Sequence, residues 1–390
     1  MLQVGTVVSR FTCIRMKWQV PLLSVIIVLC LEAGMAKEIR PLNTEAAQRT
    51  AKFFGVGLVR FQNAPCKSGS NLDGTCYRRR QCADINGAAG SNCASGIGVC
   101  CIIQRTCGDT SSWNSTYFSN ANFPTAVTGN TRCVMTIQRC NPDICQVRID
   151  FLSMSLAQPN ATGVCTTDAL LITGGAGNVP VICGENTGQH VYADFNGNDN
   201  IVMTITTGAS SNLGRNWNFK VTQIACACPT RAPSGCLQFF NSTSGTVNSF
   251  NFGTGGNSID PNTGLPGTRQ LVNQNYGVCV HMLPGYCSIR WSSNNFVVSG
   301  VPQANFGALT NGDCTTDFVV IPNPSYINGT PVNSDRFCGT AFNTVTTSSK
   351  PFVMTVVTNG DETNDVRNEG FSMMFTQLPC TNDVIAVGRK

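Results

Sequence analysis

Between Thr106 and Cys380 apolar and polar residues alternate over short runs, the period of half-buried strands. Val147, Ile149 and Phe151 fall on one face of such a run, and Gln146, Arg148 and Asp150 on the other. Trp217, Phe219, Val221 and Gln223 stand in the same way against Asn218, Lys220 and Thr222. Glycine, asparagine, serine and proline fill the intervals, as turns require. No long amphipathic helix is written anywhere in this region. The pattern predicts an all-β fold whose strands pack as antiparallel β-sandwiches.

The strand-rich text occurs twice. Cys165-Thr-Thr-Asp168 returns as Cys314-Thr-Thr-Asp317, and Ile182-Cys183-Gly184 as Phe337-Cys338-Gly339. Ile201-Val-Met-Thr-Ile-Thr-Thr207 returns as Phe352-Val-Met-Thr-Val-Val-Thr358, and Thr222-Gln-Ile-Ala-Cys226 as Thr376-Gln-Leu-Pro-Cys380. The offsets are 149, 155, 151 and 154 residues. A period this long means tandem domains, not a solenoid. The copies are placed at 107–226 and 236–380. The second is divergent: 42 residues separate Cys236 from Cys279, against 25 between Cys107 and Cys133. Much of the excess lies in Gly253–Gln270, read as a long loop.

Ahead of the repeat, Arg10, Arg15 and Lys17 precede an apolar run from Pro21 to Leu31, closed by Gly34-Met35-Ala36. This reads as a secretory signal peptide over 1–36, cut before Lys37, with Met16 as an alternative start. The run is short for a membrane span, which needs about 18 continuous apolar residues, so no membrane span is expected. Of 22 cysteines, Cys13 and Cys30 leave with the leader, and an even 20 remain for an oxidising compartment. Asn114, Asn160, Asn241 and Asn328 head N-glycosylation sequons, consistent with a secreted, extracellular glycoprotein. The formal charge of +5 gives no electrostatic footprint for nucleic acid.

Residues 37–65 read as an N-terminal arm. Six cysteines follow between Cys66 and Cys101, a segment too small to bury a sufficient core without crosslinks. Gly74-Thr-Cys76, a third cysteine at Cys82 and the terminal Gly98-Val-Cys100-Cys101 resemble the clip domain of arthropod extracellular serine proteases and their non-catalytic relatives. That resemblance implies the pairs Cys66–Cys100, Cys76–Cys93 and Cys82–Cys101.

The repeated unit resembles a CUB domain. Cys107-Gly108 opens it, Cys133 follows, and Cys165-x2-Asp168-x-Leu170 begins a cysteine pair closed by Cys183-Gly184. The resemblance implies bridges Cys107–Cys133 and Cys165–Cys183. Cys140–Cys145 is expected as a small extra bridge across a turn. In the second copy Cys279–Cys287 and Cys314–Cys338 are expected, which leaves Cys226, Cys228, Cys236 and Cys380 without an assigned order. Asn114-Ser-Thr-Tyr-Phe118, Gly188-Gln-His-Val-Tyr192, Gly235-Cys-Leu-Gln-Phe-Phe240 and Tyr276-Gly-Val-Cys279 also resemble a group of insect secreted CUB proteins, over residues 54–382.

Many CUB domains hold calcium through hard oxygen donors, and Asp168 and Asp317 match one of the ligands. The companion Glu does not match: its spacing lands on Asn160 and Leu309. A late-loop carboxylate is missing from Thr206–Ser211, whereas the second copy has Asp361, Glu362 and Asp365 there. The resemblance therefore implies no site in the first copy and a weak calcium site in the second, on Asp317, Asp361 and Asp365. The competing reading is that Asp168 and Asp317 cap turns by accepting backbone N–H groups.

Catalysis has little to stand on. The chain has two histidines, His190 and His281, and lacks a Gly-Asp-Ser-Gly-Gly nucleophile loop and a His-Glu-x-x-His helix. His190 is expected to be a packed, hydrogen-bonding residue. Arg78-Arg79-Arg80 is the one dense basic run, read either as a solvated loop or as a docking or processing site. The expected function is non-catalytic recognition of extracellular protein or glycan, as an adaptor in an extracellular protease or immune cascade. The alternative is a structural glycoprotein of matrix, cuticle or eggshell.

Overall fold

The computed structural model describes residues 63–380, apart from 210–212, 230, 255–256, 258, 260–263, 265, 300–308, 311–313, 361 and 363–366. The leader over 1–36 and nearly all of the arm over 37–65 lie outside the described residues, as do Asp361 and Asp365. The chain divides into two compact units, and the division runs through the strand Thr116–Ser119.

The described part of the first unit is residues 63–104 with Trp113–Tyr117. Strands β1 (Pro65–Lys67), β2 (Asp73–Tyr77), β3 (Ala88–Cys93) and β4 (Gly98–Arg105) surround one short helix, α1 (Arg79–Asp84). Both β2 and β3 pair with β4 in antiparallel register. Bridges Cys66–Cys100, Cys76–Cys93 and Cys82–Cys101 close the knot. Sulfur does the work of a core here: Cys76, Cys82, Cys100 and Cys101 are buried with Tyr77, Val99 and Ile102. Gly87 shows how tight the packing is. A Cβ there would lie 2.2 Å from the Cys101 sulfur, so no other residue fits.

Two β-sandwiches make the second unit. The first is built from β5 (Thr110–Ser111), β6 (Thr116–Ser119), β7 (Thr131–Ile137), β8 (Ile144–Ser155), β9 (Ala169–Thr173), β10 (His190–Asp194), β11 (Ile201–Thr207) and β12 (Asn216–Ala225). Its sheets run β5–β7–β11–β9 and β6–β12–β8–β10. Ile201, Met203 and Ile205 from one sheet meet Val147, Ile149, Phe151, Trp217 and Phe219 from the other, all buried. The Phe151 and Phe219 rings stand 4.9 Å apart at the centre.

The second sandwich has β13 (Cys236–Phe240), β14 (Ser244–Asn248), β15 (Asn275–Val280), β16 (Tyr286–Val297), β17 (Leu309–Thr310), β18 (Phe318–Val320), β19 (Ser325–Tyr326), β20 (Arg336–Cys338), β21 (Val345–Thr347), β22 (Phe352–Val357) and β23 (Gly370–Pro379). Its sheets run β13–β15–β22–β18–β20–β17 and β14–β23–β16–β21–β19. Trp291, Phe352, Phe371 and Phe375 fill its core.

The repeat extends to individual hydrogen bonds. Thr207 ends β11 by donating to the Gly129 carbonyl (2.7 Å) and accepting from the Thr131 amide (3.0 Å). Thr358, 151 positions on, does the same with the Leu271 carbonyl (2.7 Å) and the Gln274 amide (2.9 Å). Gln223 accepts from the Cys140 amide and donates to the Gln138 carbonyl, while Gln377 accepts from the Leu283 amide and donates to the His281 carbonyl. In each copy a side-chain amide thereby satisfies backbone groups that the ladder leaves open.

Two expected bridges are replaced. Cys140 and Cys145 do not pair with each other: Cys145 joins Cys226, with Cα atoms 4.8 Å apart. The reason is strand pairing, since Ala225 lies opposite Ile144 and the Cys226 amide donates to Asp143. Cys279 and Cys287 likewise do not pair. Cys279 joins Cys236 across the parallel strands β15 and β13, and Cys287 joins Cys380, where Tyr286 lies opposite Pro379. Each sandwich therefore carries the same three bridges: Cys107–Cys133, Cys145–Cys226 and Cys165–Cys183 in one, Cys236–Cys279, Cys287–Cys380 and Cys314–Cys338 in the other. Cys140 and Cys228 are also disulfide-bonded.

Candidate functional site

The two repeated aspartates sit at equivalent places and have different surroundings. Asp168, just before β9, is fully buried. Its Oδ2 accepts from the Ala157 amide (2.7 Å) and its Oδ1 from the Gly208 amide (3.0 Å). Arg215, immediately before β12 and equally buried, closes on it with Nε–Oδ2 at 2.9 Å and Nη2–Oδ1 at 3.0 Å. Nη1 also donates to the Leu213 carbonyl and Nη2 to the Gly208 carbonyl. This is a two-pronged pair with its polar atoms satisfied, which a buried charge requires. A guanidinium faces both carboxylate oxygens, so a divalent cation does not fit there.

In the second sandwich Asp317 is buried and its Oδ1 accepts from the Asn359 amide at 2.7 Å, the counterpart of the Gly208 bond. The position matching Arg215 is Glu369. Glu362, fully buried, accepts from Gln270 (3.2 Å) and Asn368 (3.0 Å). Among the described residues no group of three or more His, Cys, Asp or Glu is placed to hold a metal ion.

Face to face, the sandwiches meet on surfaces the alternation had assigned to the polar side. Tyr192 and Ile224 on the outer face of the β12–β8–β10 sheet form one apolar cluster with Ala232, Cys236, Phe239 and Cys279, and Val353 packs against it. Gln146, 1% exposed, holds the linker by both backbone groups of Ala232, each at 3.0 Å. His190 lies in the seam, with Nε2 3.0 Å from the Phe239 carbonyl oxygen and 3.2 Å from the Phe239 amide nitrogen. The rings of Tyr192 and Phe240 flank it edge-on. Burial, and then the nearby Arg148 guanidinium, push the imidazole down to about 3. Arg148 itself is held by Asp150 (2.7 Å) and the Tyr192 hydroxyl (3.1 Å).

A second contact is polar. Asn251, fully buried with φ at +60°, accepts from the Glu185 amide (3.0 Å) and donates to Gln158 (2.9 Å) and the Arg269 carbonyl (2.9 Å). Its own amide donates to Asn186 at 2.8 Å. Gly184, from the repeated Cys-Gly motif, lies under it: a Cβ there would stand 2.0 Å from the Asn251 Oδ1. Backbone bonds Thr268–Ala161 and Val272–Gly163 extend the contact. With His190 committed to the Phe239 backbone and Asp168 to Arg215, neither group is arranged as a base or nucleophile.

A family model described as the CUB domain matches residues 107–221, and one described as the animal CUB domain matches 233–378. The chain carries two CUB domains in tandem. CUB domains are non-catalytic binding modules that mediate protein interactions. The chain is similar to the CUB1-EGF-CUB2 region of rat MASP-1 at 12% identity, covering 68% of this chain and 99% of that one, with a TM-score of 0.24. It is similar to the MASP-1 CUB2 domain bound to Ca²⁺ at 16% identity, covering 30% of this chain and 98% of that one, with a TM-score of 0.25. The extracellular region of zebrafish Gpr126/Adgrg6 is 11% identical over 70% of this chain and 36% of that one, at a TM-score of 0.25. A search of curated proteins returns no match. Among the described residues no helix is long and apolar enough to cross a membrane.

Of the sequons, Asn114 and Asn328 are exposed. Asn160 lies at the contact between the CUB domains: its Oδ1 accepts from the Thr162 and Val164 amides, and its carbonyl from Asn257. Asn241, just after β13, is half-buried.

Proposed function

We propose that this is a secreted, glycosylated, non-catalytic recognition protein whose CUB domains bind an extracellular protein or glycan, as an adaptor in an extracellular protease or immune cascade. One observation supports the reading above others: the buried groups that resemble chemical equipment are consumed in holding the CUB domains together and closed. His190 pins a seam, and Arg215 neutralises Asp168. The clip-like knot fits the same reading as a crosslinked module of the kind that accompanies extracellular cascade proteins. Crosslinking-assisted pull-down of the native protein from conditioned medium tests it. The expected result is a reproducible extracellular partner and no labelling by a fluorophosphonate probe. Stoichiometric labelling of a serine, or protein that leaves the matrix only under reducing conditions, would replace the reading with a hydrolase or a structural glycoprotein.

The second CUB domain is also proposed to bind calcium weakly through Asp317, with Asp361 and Asp365 supplying the missing charge. Such a site belongs to the extracellular affinity range, about 10⁻⁴–10⁻³ M. At calcium ten times the dissociation constant the gain is about 1.4 kcal/mol. The intact protein is expected to melt higher in millimolar calcium, and Asp317→Ala to remove the shift. A shift that survives this substitution places the ion elsewhere.

A further inference from the structure

The knot carries a basic surface of its own. Arg78, Arg79 and Arg80 are consecutive and all exposed. Their backbone is held firmly. Cys76 and Cys82, each separated from the run by one residue, are buried and bridged to Cys93 and Cys101. Arg78 is extended, and its amide donates to the Gln81 side chain at 3.2 Å, which starts α1. The three side chains therefore project from an anchored turn, and little backbone freedom remains to be lost on binding.

Charge in this part of the molecule is lopsided. The acids of the described knot are Asp73, which holds Lys67 at 2.7 Å, and Asp84. Among the described residues no ion pair engages Arg79 or Arg80. No large apolar side chain is exposed between Tyr77 and Asn86: Tyr77 is buried, and Ile85 packs against the Tyr77–Val99 cluster. A protein interface draws its strength from a desolvated apolar centre, and the one large apolar side chain exposed among the described residues of the knot is Ile97, just before Val99, which lies opposite Tyr77; one side chain is too little to form such a centre. A flexible polyanion needs no such centre, because charge neutralisation and counterion release carry the binding. Guanidinium forks suit its oxyanions, donating two parallel hydrogen bonds where an ammonium makes one.

We propose that Arg78–Arg80 is an anchoring site for a polyanionic polysaccharide, sulfated or uronate-bearing, that holds the protein at an extracellular surface while the CUB domains engage their ligand. A processing site is the weaker use of the same run, since proteases take extended substrate and Arg79 and Arg80 begin a helix. With three charges at most, the attachment is weak and salt-sensitive.

Heparin-agarose chromatography of the full-length secreted protein tests this. The protein is expected to be retained and to elute with salt. The triple variant Arg78→Gln, Arg79→Gln, Arg80→Gln is expected to bind at least tenfold more weakly, with every disulfide intact. The matching triple lysine variant should keep most of the retention, which separates lost charge from misfolding. Unchanged elution of the glutamine variant overturns the proposal. So does binding to vesicles rich in phosphatidylserine without binding to heparin. Partner capture by the CUB domains is expected to be the same for all three proteins, so failure here and failure of the recognition role are read separately.

Discussion

Arg215→Ala is expected to destabilise the first CUB domain by about 3–5 kcal/mol, the usual consequence of leaving one member of a buried ion pair behind. Both partners are fully buried, and each Asp168 oxygen has one backbone amide and one guanidinium nitrogen. Removing the guanidinium leaves a carboxylate inside the fold with half its donors gone. The double variant Asp168→Asn, Arg215→Met is expected to recover much of the loss, because a buried pair exchanged for neutral groups of similar size is often tolerated. Chemical denaturation of the three proteins measures this. Were the single variant to lose less than 1 kcal/mol, the pair would be ornamental.

Acid is expected to loosen the seam between the CUB domains through His190. Its folded-state pKa lies at about 3, against an ordinary 6.5, so the unfolded chain takes up a proton that the folded chain refuses. The stability this supplies is complete above pH 6.5 and is lost as pH falls from 6.5 toward 3. Over that window the loss is on the order of 4 kcal/mol. Charged and titratable neighbours are Arg148, Asp150 and Tyr192, and Arg148 stays cationic throughout. Acid acts on more of the molecule than this one imidazole, so the informative quantity is the difference between the native protein and His190→Gln. That difference is expected to shrink by about 1.4 kcal/mol per pH unit below 6.5. A difference that stays constant from pH 7 to pH 5 would show that His190 does not hold the seam.

The sandwiches themselves were legible because alternation and repetition are properties of a linear text. Ile201, Met203 and Ile205 announce an inward face, and their return at 352–358 announces a second domain. The pairing of Cys145 with Cys226 was also written there, since Cys226 and Cys380 end the same repeated motif, but proximity along the chain suggested Cys140. A turn brings near neighbours together less surely than an antiparallel ladder aligns distant ones. The seam was legible only in part. His190 reads as a packed, hydrogen-bonding residue, which it is, but Gln146 stands on the face that alternation assigns to solvent, Asn251 lies in a turn, and nothing local says that a second domain will cover them. Arg215 is hidden for a related reason: its partner lies 47 residues away, and the second copy has Glu369 at the matching place.

The seam also fixes a distance. Two modules joined by a flexible linker search for their epitopes independently, and the second binding event is governed by an effective concentration that the linker sets. Here the linker is clasped by Gln146 and the facing sheets are packed through Tyr192, Ile224 and Phe239. A ligand with two epitopes at the matching spacing gains avidity without ordering anything further. One with the wrong spacing gains none, and the seam becomes a ruler for what this protein recognises.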